Sequence, residues 1–153
     1  MPIHEQDGEP RYNRPGHTLH VDIMYMCCKV KPKISKPKFM FLIAVDEQTG
    51  ATGTLLLEQR ETLDVREALT KIVNHWKSLN YEVKRIHFDR EKAFLSQQAH
   101  FANIGIKCTY CNADYHSRRA ERHIHTIRHK IRAVLMDLEY RLPIALYPYL
   151  VKH

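Results

Sequence analysis

The chain predicts an α/β domain built on a five-stranded mixed sheet flanked by helices, with three antiparallel strands coming first. Three observations carry this expectation. Runs of apolar and β-branched residues at 18–30, 39–45 and 51–57 follow one another with no helical stretch between them. From residue 64 onward, stretches with helical spacing alternate with short strand-like runs at 83–88 and 106–111. At 153 residues the chain has one domain's worth of length, enough to close a core.

Residues 1–16 are polar, hold Pro2, Pro10 and Pro15 and two glycines, and read as an arm or linker, leaving 17–153 as the core domain. The run from Thr18 to Val30 is apolar on both faces, which predicts a central strand. Asp22 interrupts it, and a carboxylate inside an apolar strand is costly unless it bonds or serves a site. A proline-laced basic connection, Lys29 to Lys38, leads into the strand Phe39 to Val45. Asp46 to Gly50 forms a turn, and Ala51 to Leu57 completes a meander.

Asp64 with Glu67 three residues on is a capping-box arrangement, and Val65, Leu69, Ile72, Val73, Trp76 and Leu79 form the stripe of the helix that follows. Asp89 stands at the carboxyl end of the strand Val83 to Phe88, where open sheets place their sites. A short helix over roughly 92–103 closes on Gly105, and Ile106 to Cys111 is the fifth strand. A long helix runs from Ala120 to about Tyr140 with Ile124, Ile127, Ile131, Val134, Leu135 and Leu138 at core spacing, and a further helix starts near Ile144. Glu121 lies in its first turn, and His125, Arg128 and Arg132 continue from it along one side.

Charge is concentrated. The chain holds 24 Lys and Arg against 17 Asp and Glu, a net +7. Five lysines fall in 29–38, and six Lys and Arg with four His fall in 116–132, against the single acid Glu121. Outside those two runs 13 basic residues face 16 acidic ones, so the positive charge has the distribution of a phosphate-binding footprint. The lysine run predicts a loop with non-specific affinity for DNA. There is no long apolar run and no signal-peptide pattern, so no membrane partner is expected. Cys27, Cys28, Cys108 and Cys111 are too few and too adjacent for a disulfide framework, which fits an intracellular, reducing setting. Cys108-x2-Cys111 followed by His123 and His129 is close to a zinc-finger spacing, but Glu121 stands where a finger needs a core leucine. No glycine-rich phosphate loop or nucleophile elbow is present.

Three carboxylates on separate rigid elements, Asp22, Asp89 and Glu121, are the hard oxygen donors that phosphodiester chemistry with two metal ions requires. The segments around them are His20-Val-Asp22-Ile-Met24, Phe41-Leu-Ile-Ala-Val-Asp46, Ile86-His-Phe-Asp89-Arg-Glu-Lys-Ala-Phe94, Gly105-Ile-Lys107, and His116 through Ala120-Glu121-Arg122 to Arg132-Ala133. Over about Gly16 to Leu150 these resemble the catalytic core of retroviral-type integrases, the Asp-Asp-Glu family with the RNase H-like fold, and most of all copia-type LTR retrotransposon integrases.

The resemblance implies that Asp22, Asp89 and Glu121 are the catalytic residues and ligate two Mg2+ or Mn2+ ions. It implies a DNA strand transferase and endonuclease acting on element ends and target DNA, a homodimer through the core, and action in the nucleus. His116, Arg118, Arg119, Arg122, His125, Arg128, Lys130 and Arg132 are then the DNA-contacting residues.

The sequence departs from the family pattern in three places. Arg90-Glu91 follows Asp89 where a small pair is usual. Asp114 to Arg119 replaces the family's loop elements, making Asp114 the alternative third acid. Only 31 residues separate Asp89 from Glu121. The amino-terminal zinc-binding and carboxyl-terminal DNA-binding domains of full integrases find no counterpart, as in an excised core or a divergent stand-alone copy. Three other readings stand beside this one: a catalytically silent core that binds DNA or partners, an RNase H-like nuclease with Glu67 as its further acid, and a zinc-dependent DNA-binding module.

Overall fold

A computed structural model describes residues 14–27, 38–59, 61–111 and 118–152. Its sheet runs in the order β3-β2-β1-β4-β5, from strands β1 (Thr18–Cys27), β2 (Lys38–Asp46), β3 (Thr52–Leu57), β4 (Arg85–Phe88) and β5 (Lys107–Tyr110). β1, β2 and β3 pair antiparallel, while β4 and β5 join parallel to β1. The five strands, the initial meander and the central place of β1 are those expected from the sequence.

Alternation along β1 assigns its two faces. Leu19, Val21 and Ile23 pack with Leu42 and Ala44 of β2, with Ile86 and Phe88 of β4, and with α1 (Thr62–Ser78). Helix α1 meets them through Val65, Ala68, Leu69 and Ile72, one stripe at helical spacing. Each such large side chain contributes roughly 1.5–3 kcal/mol by burial, before the entropy of ordering is subtracted. On the opposite face Met24, Phe41, Ile43 and Val45 receive Ile124 and Ile131 of α4 (Arg118–Asp137) and Val151 of α5 (Tyr147–Lys152). His20 and Asp22 belong to this second face by alternation. No described helix is long and apolar enough to cross a membrane.

Several local expectations are corrected. Helix α1 starts at Thr62 with Glu61 at the N-cap and no side-chain cap bond, so there is no capping box at Asp64. Asp64 instead accepts from Gln59 N at 3.1 Å, tying the β3–α1 link to the first turn. Leu79 is the C-cap of α1 and is exposed, past the end of the buried stripe. Helix α4 stops at Asp137, and Val134 faces solvent.

The short helix after Asp89 is two pieces, α2 (Lys92–Leu95) and α3 (Gln98–Asn103). They break at Gln97, whose fully buried side chain donates to Thr62 O at 2.8 Å and Ala93 O at 3.0 Å and accepts from Arg66 Nε at 3.1 Å. Those bonds to α1 require the chain to turn there. Gly105, with φ 81°, follows the C-cap of α3. Gly105 N donates to Ala102 O at 3.1 Å and Ile106 N to Phe101 O at 2.9 Å, the paired bonds of a Schellman ending.

Candidate active site

The register of the parallel strands aligns the acids. Val21 pairs with Phe88 and Phe88 with Tyr110. One step further along each strand come Asp22, Asp89 and Cys111, and Cys111 N donates to Phe88 O at 2.9 Å. All three fall on the face away from α1, at the carboxyl ends of β4 and β5. Helix α4 packs across β1 and β2 on that same face, seated by buried Ala120 and Ile124, so Glu121 projects from its first turn at this end of the sheet. A long-range bond from Arg128 Nη2 to Tyr25 O at 3.2 Å fixes the flank of α4 that carries Glu121 against β1.

The acids act on one another through their charges. Burial pushes the Asp22 carboxyl up to about 6; a hydrogen bond from Ile23 N at 2.7 Å pulls the other way, and the negative charges of Glu91, Asp89 and Glu121 push it up further. Burial likewise drives the Cys111 thiol up to about 11, with Asp89 and Asp22 adding to it. Asp89 and Glu91 are half-buried and Glu121 is exposed, so the group opens to solvent on the side of α4.

Glu91 was not picked out as an acid of the site by sequence. It stands at the N-cap of α2, and among the carboxylates it presses most on Asp22. The one sequence signal was its placement two residues after Asp89, in the stretch where the chain departs from the family pattern.

Behind the acids lies a polar row. His87 meets Thr109 Oγ1 at 2.8 Å through Nδ1 and Cys111 Sγ at 3.1 Å through Nε2. The His20 ring packs edge-on to it with centroids 5.2 Å apart. Burial holds His87 down to about 4, with His20 lowering it further, so the ring is neutral at pH 7. A neutral ring has one donor and one acceptor nitrogen, matching its two partners.

The basic helix divides into flanks. Arg118, Arg122, His125 and Arg132 are exposed, and Arg128 lies on the Glu121 side as above. Arg119 instead donates through Nη1 to Glu47 O in the β2–β3 turn, and Lys130 lines a groove with Thr52 and Thr54 of β3. Those two are directed away from the acids. His116 and Asp114 lie outside the described residues, as do most of the expected arm and of the Lys29–Lys38 connection.

Cys108 is buried in the core on the α1 face, while Cys111 meets His87 on the other face, and His123 is bonded to Arg119 O at 2.9 Å. They do not converge as a zinc finger. Glu67, the further acid of the nuclease reading, is exposed on α1 and paired with Lys71 at 2.8 Å.

Carboxylate oxygens are the donors that Mg2+ and Mn2+ prefer, and burial, with the nearby acids adding to it, makes the ionised Asp22 costly, a cost that a bound cation would offset. In donor chemistry Asp22, Asp89 and Glu121 therefore fit a divalent ion. Among the described residues no three His, Cys, Asp or Glu side chains stand close enough to hold an ion as placed, so ligation requires the side chains to close in.

No family model matches the chain, and no curated protein matches it by sequence. Solved structures do match by shape. The HTLV-2 integrase catalytic core domain in complex with magnesium aligns over 90% of this chain and 80% of its own, with TM-score 0.65 and 22% identity. The simian T-cell lymphotropic virus intasome in complex with PP2A regulatory subunit B56 gamma aligns over 93% of this chain and 49% of its own, with TM-score 0.72 and 16% identity. The catalytic core domain of BIV integrase aligns over 82% and 75%, with TM-score 0.58 and 17% identity. At these identities the likeness is one of architecture: the chain has the RNase H-like fold of integrase catalytic cores.

Proposed function

We propose that the chain is a metal-dependent polynucleotidyl transferase core, of the integrase type and closest to copia-type retroelements, that cuts and joins DNA phosphodiesters. The observation that carries this reading is the parallel register that sets Asp22 and Asp89 side by side at the carboxyl end of β4, with α4 packed on the same face so that the charge of Glu121 acts on the half-buried Asp22. Asp22, Asp89 and Glu121 would hold Mg2+ or Mn2+, which supplies Lewis-acid stabilisation and a more acidic attacking water or hydroxyl. The HTLV-2 core of the same fold is in complex with magnesium.

The chain's own residues do the rest. Asp22 and Asp89 are presented by adjacent strands whose pairing fixes their spacing. Glu121 is carried on a helix whose long axis is held against β1 by the Arg128 bond. Arg118, Arg122, His125 and Arg132 offer solvent-facing cationic or hydrogen-bonding groups for phosphates beside the acids. DNA, as element end and as target, is the substrate, and the reading carries with it a core homodimer acting in the nucleus.

The test is Glu121→Gln, assayed with Mn2+ on a branched DNA that mimics the joined product, beside the unaltered chain and Asp89→Asn. Both variants should lose at least about a hundredfold in strand transfer while keeping the melting temperature and DNA affinity of the parent. Strand transfer retained in Glu121→Gln would overturn the assignment.

A further inference from the structure

At the end of the sheet opposite the acids, the parallel strands begin in a basic cleft of about 800 Å³ whose lining includes Arg14, His17, Tyr81, Lys84, Arg85 and Lys107. Its cations are placed by backbone bonds. His17 O accepts from both Lys84 N and Arg85 N at 2.9 Å, and Lys107 N donates to Lys84 O at 2.8 Å, so these residues are set side by side where β4 and β5 begin. Arg85 and Lys107 are also register partners and project from the face of the sheet away from α1, so the cleft wraps around the end of the sheet from Tyr81 to these two cations.

The turn carrying Arg14 is seated as firmly. Gly16 has φ 76°, its N–H donates to Asp46 Oδ1 at 2.8 Å, and a Cβ there would meet the Trp76 ring at 2.7 Å. Trp76 in turn supports Tyr81 edge-on, with ring centroids 5.9 Å apart, and Tyr81 is 41% exposed at the cleft. The acid of the lining, Glu82, is engaged with Lys84 at 2.5 Å. Four cations share the cleft lining with one carboxylate, and three of them act on His17, which is held below its ordinary value by burial first, then by Arg85 and Lys84, with Glu47 opposing and Arg14 adding to the effect.

Clustered cations beside a propped aromatic ring are the two parts of a single-strand binding surface, the cations for backbone phosphates and the ring for a base face. A duplex offers no unstacked base to Tyr81. We propose that this cleft binds a single-stranded stretch of nucleic acid, with phosphates on Lys84, Arg85, Lys107 and Arg14 and a base stacked on Tyr81. Arg85 lies four residues before Asp89, about 13 Å along the strand, so the cleft is a second binding surface at a distance from the reacting phosphodiester.

Trp76 is the single tryptophan of the chain. It sits under Tyr81 and on the α1 side of the sheet, so its fluorescence reads the Tyr81 part of this cleft, where the base would stack, and not the basic helix α4. The experiment titrates a twelve-nucleotide oligo-dT, the matching duplex and inorganic triphosphate into Asp89→Asn, in EDTA, which removes turnover without touching the cleft. Oligo-dT should change Trp76 emission, bind more tightly than duplex, and resist displacement by triphosphate at equal phosphate concentration.

In Lys84→Gln/Lys107→Gln, made at two exposed side chains, affinity should fall about tenfold and the log–log salt slope should shrink by about 1.4, near 0.7 for each phosphate no longer neutralised. Tyr81→Leu should weaken oligo-dT and leave triphosphate unaffected. Unchanged affinity and slope in the double variant would overturn the proposal, as would a silent Trp76. Displacement by triphosphate would overturn it in favour of a free-phosphate site. Because the parent of these variants is already inactive at Asp89, failure here leaves the strand-transfer reading untouched, and the reverse holds as well.

Discussion

Asp22 and Asp46 are two aspartates in neighbouring central strands, and their surroundings have opposite character. Asp46 is wholly buried and accepts from Gly16 N at 2.8 Å, from Thr49 N at 2.9 Å and from Thr49 Oγ1 at 2.6 Å. Its carboxylate closes the β2–β3 turn and anchors the start of β1. Asp22 is less buried, takes a bond from the next residue's N–H, and has three other acids around it. Burial alone therefore does not separate a structural aspartate from a site aspartate. What separates them is whether donors or further acids surround the charge.

The contrast makes opposite predictions for removing each charge. Asp46→Ala should cost about 4 kcal/mol in urea unfolding, because three donors, two of them backbone, lose a charged partner at once. A loss below about 1 kcal/mol would place Asp46 outside the structural class.

Asp22→Asn should act in the other direction and by less. The folded-state value of about 6 stands above the ordinary 3.8, so the folded chain holds a proton that the unfolded chain releases. Stability is then lost as pH rises through that interval, and the cost is complete above about 6. In EDTA at pH 8 the variant should be more stable than the parent by about 1–2 kcal/mol, the full shift being discounted for solvent screening. The advantage should vanish near pH 4, and thermal melting across that range reads it. A variant less stable than its parent at pH 8 would mean that Asp22 is held as Asp46 is.

The smallest effect tests whether Glu91 belongs with the acids. Glu91→Gln removes one of the charges acting on Asp22, so the Asp22 carboxyl should titrate lower, toward its ordinary value, by carbon-13 NMR. An unmoved titration would remove Glu91 from the group.

Much of this was legible in the chain. The continuous apolar run of β1 and the helical stripes of α1 and α4 follow from side-chain geometry, so the order of elements could be read directly. The three candidate acids were marked by their places on strand and helix only weakly, and mainly by the resemblance of the segments around them. Glu91 was not, since it sits where the helical pattern is short and where the family pattern is broken. The break at Gln97 was hidden for a related reason: a glutamine bridging to Thr62 O, 35 residues away, leaves no local mark. The cleft at the other end was equally hidden, because Arg14, Lys84 and Lys107 are far apart in sequence and become neighbours through β1–β4–β5 pairing.

By itself the sequence determined the α/β class and the five strands, because hydrophobic periodicity is a local property, and it marked Asp22 as a charge in an apolar strand; the candidate triad came from the resemblance of the segments around it. Only the tertiary structure decided which aspartate is satisfied and which is crowded, which flank of α4 faces the acids, and which distant cations share a cleft. Those depend on strand register and on helix seating, which arise from packing between residues distant in the chain.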